Sequence, residues 1–309
     1  MKKFLTILLA LTLVLSLAAC GEPTGKRLGR NKTVILVTCE EGQASCPVCK
    51  EALAGLTAAE EEFGMAVQVL RPASEEDREG QLLAAAAESP DLVLAGCSVL
   101  AEAAVSAAKQ YPEVSFAVLD AFLLEQSGGS SGNRSNLLGV TFAEFEGAYL
   151  AGVLAGFRGQ AVTGFVGAEE DAFGKAQEAA FKAGLQSVKS DGTVLVSYAG
   201  FSADANEAAA LIAAQKKFGA EVFFAASPYA DGSICDFGVQ KNYGAAVQLV
   251  IESALRGEFA GGTVSYGVKE DCVTYADFAG KADAAALERV SQCTEQIKAG
   301  TLVVPKGVN

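Results

Sequence analysis

Short, continuously apolar runs alternate along this chain with Ala- and Glu-rich stretches of helical spacing, and that alternation leaves few folds open. Residues 33–38 (TVILVT) read as a buried strand, followed by a helix to about residue 63. Strands at 66–70, 91–95 and 114–119 then alternate with helices at 78–88 and 99–110. Strands that are apolar at every position are buried on both faces, as in a parallel sheet covered by helices. Residues 126–136 (QSGGSSGNRSN) break the rhythm and read as a connection between two lobes. Beyond them the pattern resumes with strands at 137–141, 162–166, 193–198 and 222–226 and helices at 144–157, 172–188 and 205–218. A helix at 245–256, β-like pieces at 263–268 and 272–275, and a helix at 284–299 complete the chain. Two α/β units imply a cleft, lined by the carboxyl ends of the strands.

The N-terminus predicts a location. Lys2 and Lys3 precede an apolar run over residues 4–17, then Ala18, Ala19 and Cys20. That run falls short of the roughly 20 residues a membrane-spanning helix needs, and its flanks are those of a secretory signal over residues 1–19. Leu17-Ala18-Ala19-Cys20 resembles the bacterial lipobox, which implies that Cys20 carries a lipid and that residues 20–32 tether the body to a membrane. Composition narrows the function further. The 309 residues include no His, which removes Ser–His and Cys–His catalytic pairs and His-ligated metals, and no enzyme or cofactor is expected. A formal charge of −13 argues against nucleic acid.

Leu138-Gly139-Val140-Thr141-Phe142, with Glu146-Gly147-Ala148-Tyr149-Leu150-Ala151-Gly152, closely resembles a hallmark of the basic membrane protein (BMP, PnrA-like) family. Further matches are Gly164-Phe165-Val166-Gly167, Glu178-Ala179-Ala180-Phe181-Lys182-Ala183-Gly184, Tyr198-Ala199-Gly200-Phe201 and Gly257-Glu258-Phe259-Ala260-Gly261-Gly262-Thr263. The resemblance implies a lipoprotein that binds a solute, in many members a purine nucleoside, and delivers it to ABC permease subunits. The implied fold is α/β, type I periplasmic-binding-protein-like, with two doubly wound parallel-sheet lobes joined by a hinge. The expected division is residues 33–125 with about 243–268 in lobe 1, and residues 136–241 with about 269–309 in lobe 2. Gly147 and Gly152 each cost a helix about 1 kcal/mol against Ala, which predicts close packing around that helix.

Asp120 ends a strand at the cleft edge, where a carboxylate accepts hydrogen bonds from ribose hydroxyls or base nitrogens. Phe201, at another strand end, offers a ring for stacking. The family positions agree for both, and a matching Lys241 is expected near the sugar. A gapless register places Cys39 at a family ligand Asp, and Pro47, Val48 and Cys49 at a Ser-Phe-Asn that contacts ligand; Cys39 and Cys49 are therefore ligand-site candidates. Cys46-Pro47-Val48-Cys49 opens a helix, whose N-terminus lowers thiol pKa values and favours a reactive Cys46 thiolate. Structural disulfides or reduced thiols compete with that reading. Cys39, Cys46 and Cys49 are weak metal candidates, and a fourth thiolate would come from Cys97 by strand order. Cys272 and Cys293 are a candidate pair, and Cys235 has no evident partner. The alternative function is thus a cysteine-based redox or metal-handling lipoprotein on the same scaffold. Residues 227–240 are too few for the family's helix, strand and loop, which leaves a crossover strand and one ligand carboxylate in question, with Asp231 or Asp236 as substitutes.

Overall fold

The computed structural model describes residues 28–40, 46–121, 135–200, 204–226 and 228–307. The signal segment, Cys20, most of the 126–136 stretch and Phe201 lie outside the described residues.

Eleven strands among the described residues form two sheets. The first is parallel throughout, in the order β2-β1-β3-β4-β5-β10. Its members are β1 (Thr33–Val37), β2 (Ala66–Leu70), β3 (Leu92–Ala95), β4 (Ser115–Leu119), β5 (Leu137–Phe142) and β10 (Gly262–Tyr266). The second has the order β7-β6-β8-β9-β11: β6 (Val162–Gly167), β7 (Thr193–Tyr198), β8 (Val222–Ala225), β9 (Phe237–Lys241) and β11 (Val273–Asp277). Only β11 runs antiparallel, against β9. The helices are α1 (Pro47–Phe63), α2 (Arg78–Ala87), α3 (Ala101–Gln110), α4 (Glu144–Phe157), α5 (Ala172–Gln186), α6 (Ala205–Lys217), α7 (Tyr243–Arg256) and α8 (Ala284–Lys298).

Local sequence explains the helix starts. Asp171, Asn242 and Asp283 each accept a backbone N–H of the first turn of α5, α7 and α8, and Asp204 with Glu207 closes a capping box on α6. Helix α4 is apolar on every side and buried from Gly147 to Gly156, so it lies inside the second lobe. The glycines set its approach to α5. A Cβ on Gly152 would sit 2.2 Å from the Phe181 carbonyl oxygen, and one on Gly184 2.0 Å from that of Tyr149. Beside them Phe165 stacks on Phe224 at 5.1 Å, and Phe181 meets Phe224 at 4.9 Å.

Three placements differ from the sequence reading. Strand β5, read as the start of the second lobe, pairs with β4 and β10 in the first sheet. The Gly/Ser stretch before it therefore joins neighbouring strands of one lobe and does not connect the two lobes. Residues 28–32, read as the end of a tether, are docked on the body: the Gly29 N–H donates to the Phe63 carbonyl at 2.9 Å and Lys32 pairs with Asp91 at 2.7 Å. Inside the short 227–240 segment a strand does form. Val239 pairs with Tyr275 across the β9–β11 ladder, so the second sheet keeps its crossover strand.

Among the described residues the chain passes between the sheets at three places: Ala143 between β5 and α4, Asn242 between β9 and α7, and residues 267–272 between β10 and β11. Backbone bonds tie these passages together. Ala143 N–H donates to Tyr266 O and Asn242 N–H to Cys272 O, both at 2.8 Å. The Glu146 carboxylate accepts the Val268 N–H at 2.7 Å.

Candidate functional site

In each sheet the winding reverses once, between β1 and β3 in the first and between β6 and β8 in the second. The carboxyl ends of strands beside such a reversal form the natural crevice of an open α/β sheet. A cavity of about 380 Å³ lies beside these points, at the carboxyl ends of β3 to β5, β6 and β8, lined by Ser98, Asp120, Thr141 and Phe142 of the first lobe and by Glu169, Asp171, Phe173 and Gln177 of the second. Lys241 and Glu144, beside two of the interlobe passages, line it as well.

Asp120 follows β4 with φ of 56°, the left-handed region that an L residue occupies at a cost of about 1 kcal/mol or more. The bend turns its carboxylate into the cavity, where Oδ2 accepts from Lys241 Nζ and from the Tyr243 hydroxyl, each at 2.9 Å. Lys241 Nζ also lies 2.9 Å from Glu144 Oε1, so one ammonium bridges two carboxylates from different elements. The ring centroids of Phe142 and Tyr243 lie 5.6 and 5.4 Å from the same nitrogen. Burial alone would depress the Lys241 pKa, yet Glu144, Asp120 and Tyr243 hold it above the ordinary lysine value. Burial, with Asp120 nearby, pushes the Glu144 carboxyl up, and the Lys241 ammonium works against that push. Burial also raises the Tyr243 phenol, which stays protonated and donates.

Gln177 completes the group. It is 2% exposed, and its Nε2 donates to Glu144 Oε2 at 3.2 Å. Its Oε1 has no hydrogen-bond partner among the described residues. A buried carbonyl oxygen left unpaired costs about 1–3 kcal/mol, which a ligand donor can recover.

Asp120 and Lys241 thus meet in one cavity. Cys39 and Cys49 do not line it: they are 6% and 0% exposed and point into a cluster with Cys46 and Cys97. The reactive Cys46 thiolate expected from the helix start is not what the packing produces. Burial raises the Cys46 pKa more than the backbone N–H of Cys49 lowers it, and burial with neighbouring thiols pushes Cys39 up to about 12. Cys272 and Cys293 are free and buried, and Cys235 donates to the Asp231 carbonyl at 3.2 Å. Neither substitute carboxylate reaches the cavity: Asp231 caps its own turn through the Ser233 N–H, and Asp236 accepts the Phe223 N–H at 2.9 Å. Sequence reading missed Glu144, Gln177 and Tyr243. The one signal was for Glu144, which with Glu146 heads an otherwise apolar helix. No helix among the described residues is long and apolar enough to cross a membrane.

Comparison with known proteins agrees with this architecture. The chain is 26% identical to a "CD4+ T-cell-stimulating antigen" of Listeria innocua, covering 97% of this chain and 98% of that one. Over 40% of this chain and 34% of its own length, an "ABC transporter nucleoside-binding protein BmpA" of Lactococcus lactis is 33% identical. Among solved structures, an ABC transporter solute-binding protein of Conexibacter woesei superposes with a TM-score of 0.66 at 20% identity, covering 89% of this chain and 99% of that one. The profile of the Bmp family, described as "ABC transporter substrate-binding protein PnrA-like", matches residues 32–235, about two thirds of the sequence. The chain therefore belongs to the Bmp family of PnrA-like ABC transporter substrate-binding proteins.

Proposed function

We propose that this protein is a lipid-anchored receptor, attached through Cys20 on the extracytoplasmic face, that captures an uncharged nucleoside-like solute between its lobes for an ABC permease. The observation that carries the reading is the cavity shared by Asp120, Glu144, Gln177 and Lys241, held between elements of both lobes. Its volume suits a small molecule. Its carboxylates are acceptors for hydroxyls, the unpaired Gln177 Oε1 accepts one more donor, and Phe142 and Phe173 supply ring surface. Asp120, Glu144, Glu169 and Asp171 line the cavity with Lys241 as its one lining cation, a balance that disfavours phosphorylated ligands. No bond need be made or broken: binding shifts an open–closed equilibrium, and a permease reads the closed form. The nucleoside-binding name of the Lactococcus lactis relative supports the same solute class.

A thermal-shift panel of nucleosides, their monophosphates, free bases and simple sugars tests the reading. A nucleoside at about a hundred times its Kd adds about 2.7 kcal/mol and raises Tm, while its monophosphate does not. The proposal is overturned if monophosphates stabilise as well as nucleosides, or if only sugars act.

A further inference from the structure

The reversal point of the first sheet is occupied by sulfur. Cys39 follows β1, Cys97 follows β3, and Cys46 and Cys49 form the first turn of α1, and the four Sγ atoms all lie within 4.8 Å of one another. We propose that these four side chains bind a single tetrahedral zinc ion that clamps the ligand-facing edge of the first lobe.

Size selects the ion. Zinc–thiolate bonds of about 2.3 Å place tetrahedral sulfurs about 3.8 Å apart, and the Cys39–Cys49 pair already stands at 3.5 Å. A four-iron cluster spreads its thiolates around a cube and needs a wider cage. Four soft donors disfavour magnesium and calcium.

Burial raises the free Cys39 and Cys46 thiols, but N–H donors and positive charge at the cluster favour sulfur held as metal-bound thiolate. The Cys39 N–H points to Cys49 Sγ and the Cys49 N–H to Cys46 Sγ, both at 3.4 Å, and the N-terminus of α1 adds its positive end. The Arg78 guanidinium, fixed by Glu40 beside Cys39, lies within electrostatic reach of Cys97. Cys39, Cys49 and Cys97 are almost wholly buried and all four positions come from protein, the mark of a structural site with no open coordination position. The clamp joins the segments after β1 and β3 to the start of α1, and Ser98, next to Cys97, lines the solute cavity. The site stands independently of what that cavity binds.

The experiment is metal analysis of the full chain, purified under reducing conditions, with zinc or cobalt as the added ion. About one zinc per chain is expected, with cobalt giving the intense absorption of a tetrahedral thiolate site. Cys97→Ser lowers zinc affinity at least about tenfold and removes the cobalt bands, whereas Cys235→Ser, away from the cluster, changes neither. Should Cys97→Ser fail to fold, stoichiometry and the cobalt spectrum of the wild type still decide. The proposal is overturned if the reduced protein takes up no stoichiometric zinc, if Cys97→Ser binds as the wild type does, or if intact mass of a separate preparation made without reductant shows these four cysteines joined as disulfides.

Discussion

Lys241→Met tests the centre of the cavity. The ammonium lies 2.9 Å from both Asp120 and Glu144. At an effective dielectric of about 20 each attraction is about 6 kcal/mol gross, most of it offset by desolvation. In the variant Asp120 keeps the Tyr243 hydroxyl and partial solvent, while Glu144, 4% exposed, keeps only Gln177. A stranded buried carboxylate escapes by taking a proton, and that sets a ceiling on the cost. The ceiling is about 1.36 kcal/mol per pH unit above an unfolded pKa of about 4.3, hence about 1 kcal/mol at pH 5 and about 3.7 kcal/mol at pH 7. The sign follows from burial, which already raises Glu144 in the wild type against the opposing Lys241 ammonium. Without that ammonium the folded value rises further, so the variant keeps its stability below the unfolded value and loses more than the wild type as pH rises. Urea unfolding of wild type and variant, followed by far-UV circular dichroism between pH 5 and pH 7, should show a gap that widens with pH by about 1 kcal/mol per unit. A flat gap across that range, or one below about 1 kcal/mol at pH 7, refutes the claim that Lys241 neutralises a buried charge.

Other substitutions probe separate parts of the argument. Gly152→Ala forces a methyl to within 2.2 Å of the Phe181 carbonyl and should destabilise by about 1–3 kcal/mol or more despite better helix propensity, read as a fall in Tm. Asp120→Gly and Asp120→Ala should both lose at least tenfold in nucleoside affinity by calorimetry, with Ala the less stable by about 1 kcal/mol because the left-handed φ suits glycine. The Cys235 thiol is pushed up to about 11 by burial and by the Asp236 and Asp231 carboxylates. Its contribution is full below about pH 9 and lost as pH rises through about 11, so wild type should lose about 2–3 kcal/mol relative to Cys235→Ala over that interval.

The order of strands and helices was legible because buried parallel strands announce themselves as unbroken apolar runs. The helix Glu144–Phe157 and the strand Thr193–Tyr198 form over the residues their patterns mark. Strand β9 was not legible: FGVQK is short and half polar, and its extended form comes from the distant β11 laid against it. Asp120 could be found because strand ends face the cleft, and Lys241 through its match to a family position. Gln177 reads as one more polar residue on an amphipathic helix, and only tertiary packing reveals it as buried. The Cys46–Cys49 pair is visible as a spacing, whereas Cys97 joins it across a β-α-β unit, where proximity is spatial and not sequential.

Because β10 pairs with β5 through Gly262↔Leu138, and α7 covers the face of α1 through close approach of Gly244 to Gly55, the first lobe is unfinished when residue 142 emerges from the ribosome. Its outer strand and a covering helix arrive only after strands β6 to β9 of the second lobe have been made, and β11 and α8 of that lobe come later still. A nascent chain must therefore hold an apolar flank and an unpaired strand edge in waiting for more than a hundred residues, a state prone to sticking to other chains. Truncations beyond α6 that leave the solute cavity's N-terminal residues intact should for this reason yield aggregates and not a smaller receptor.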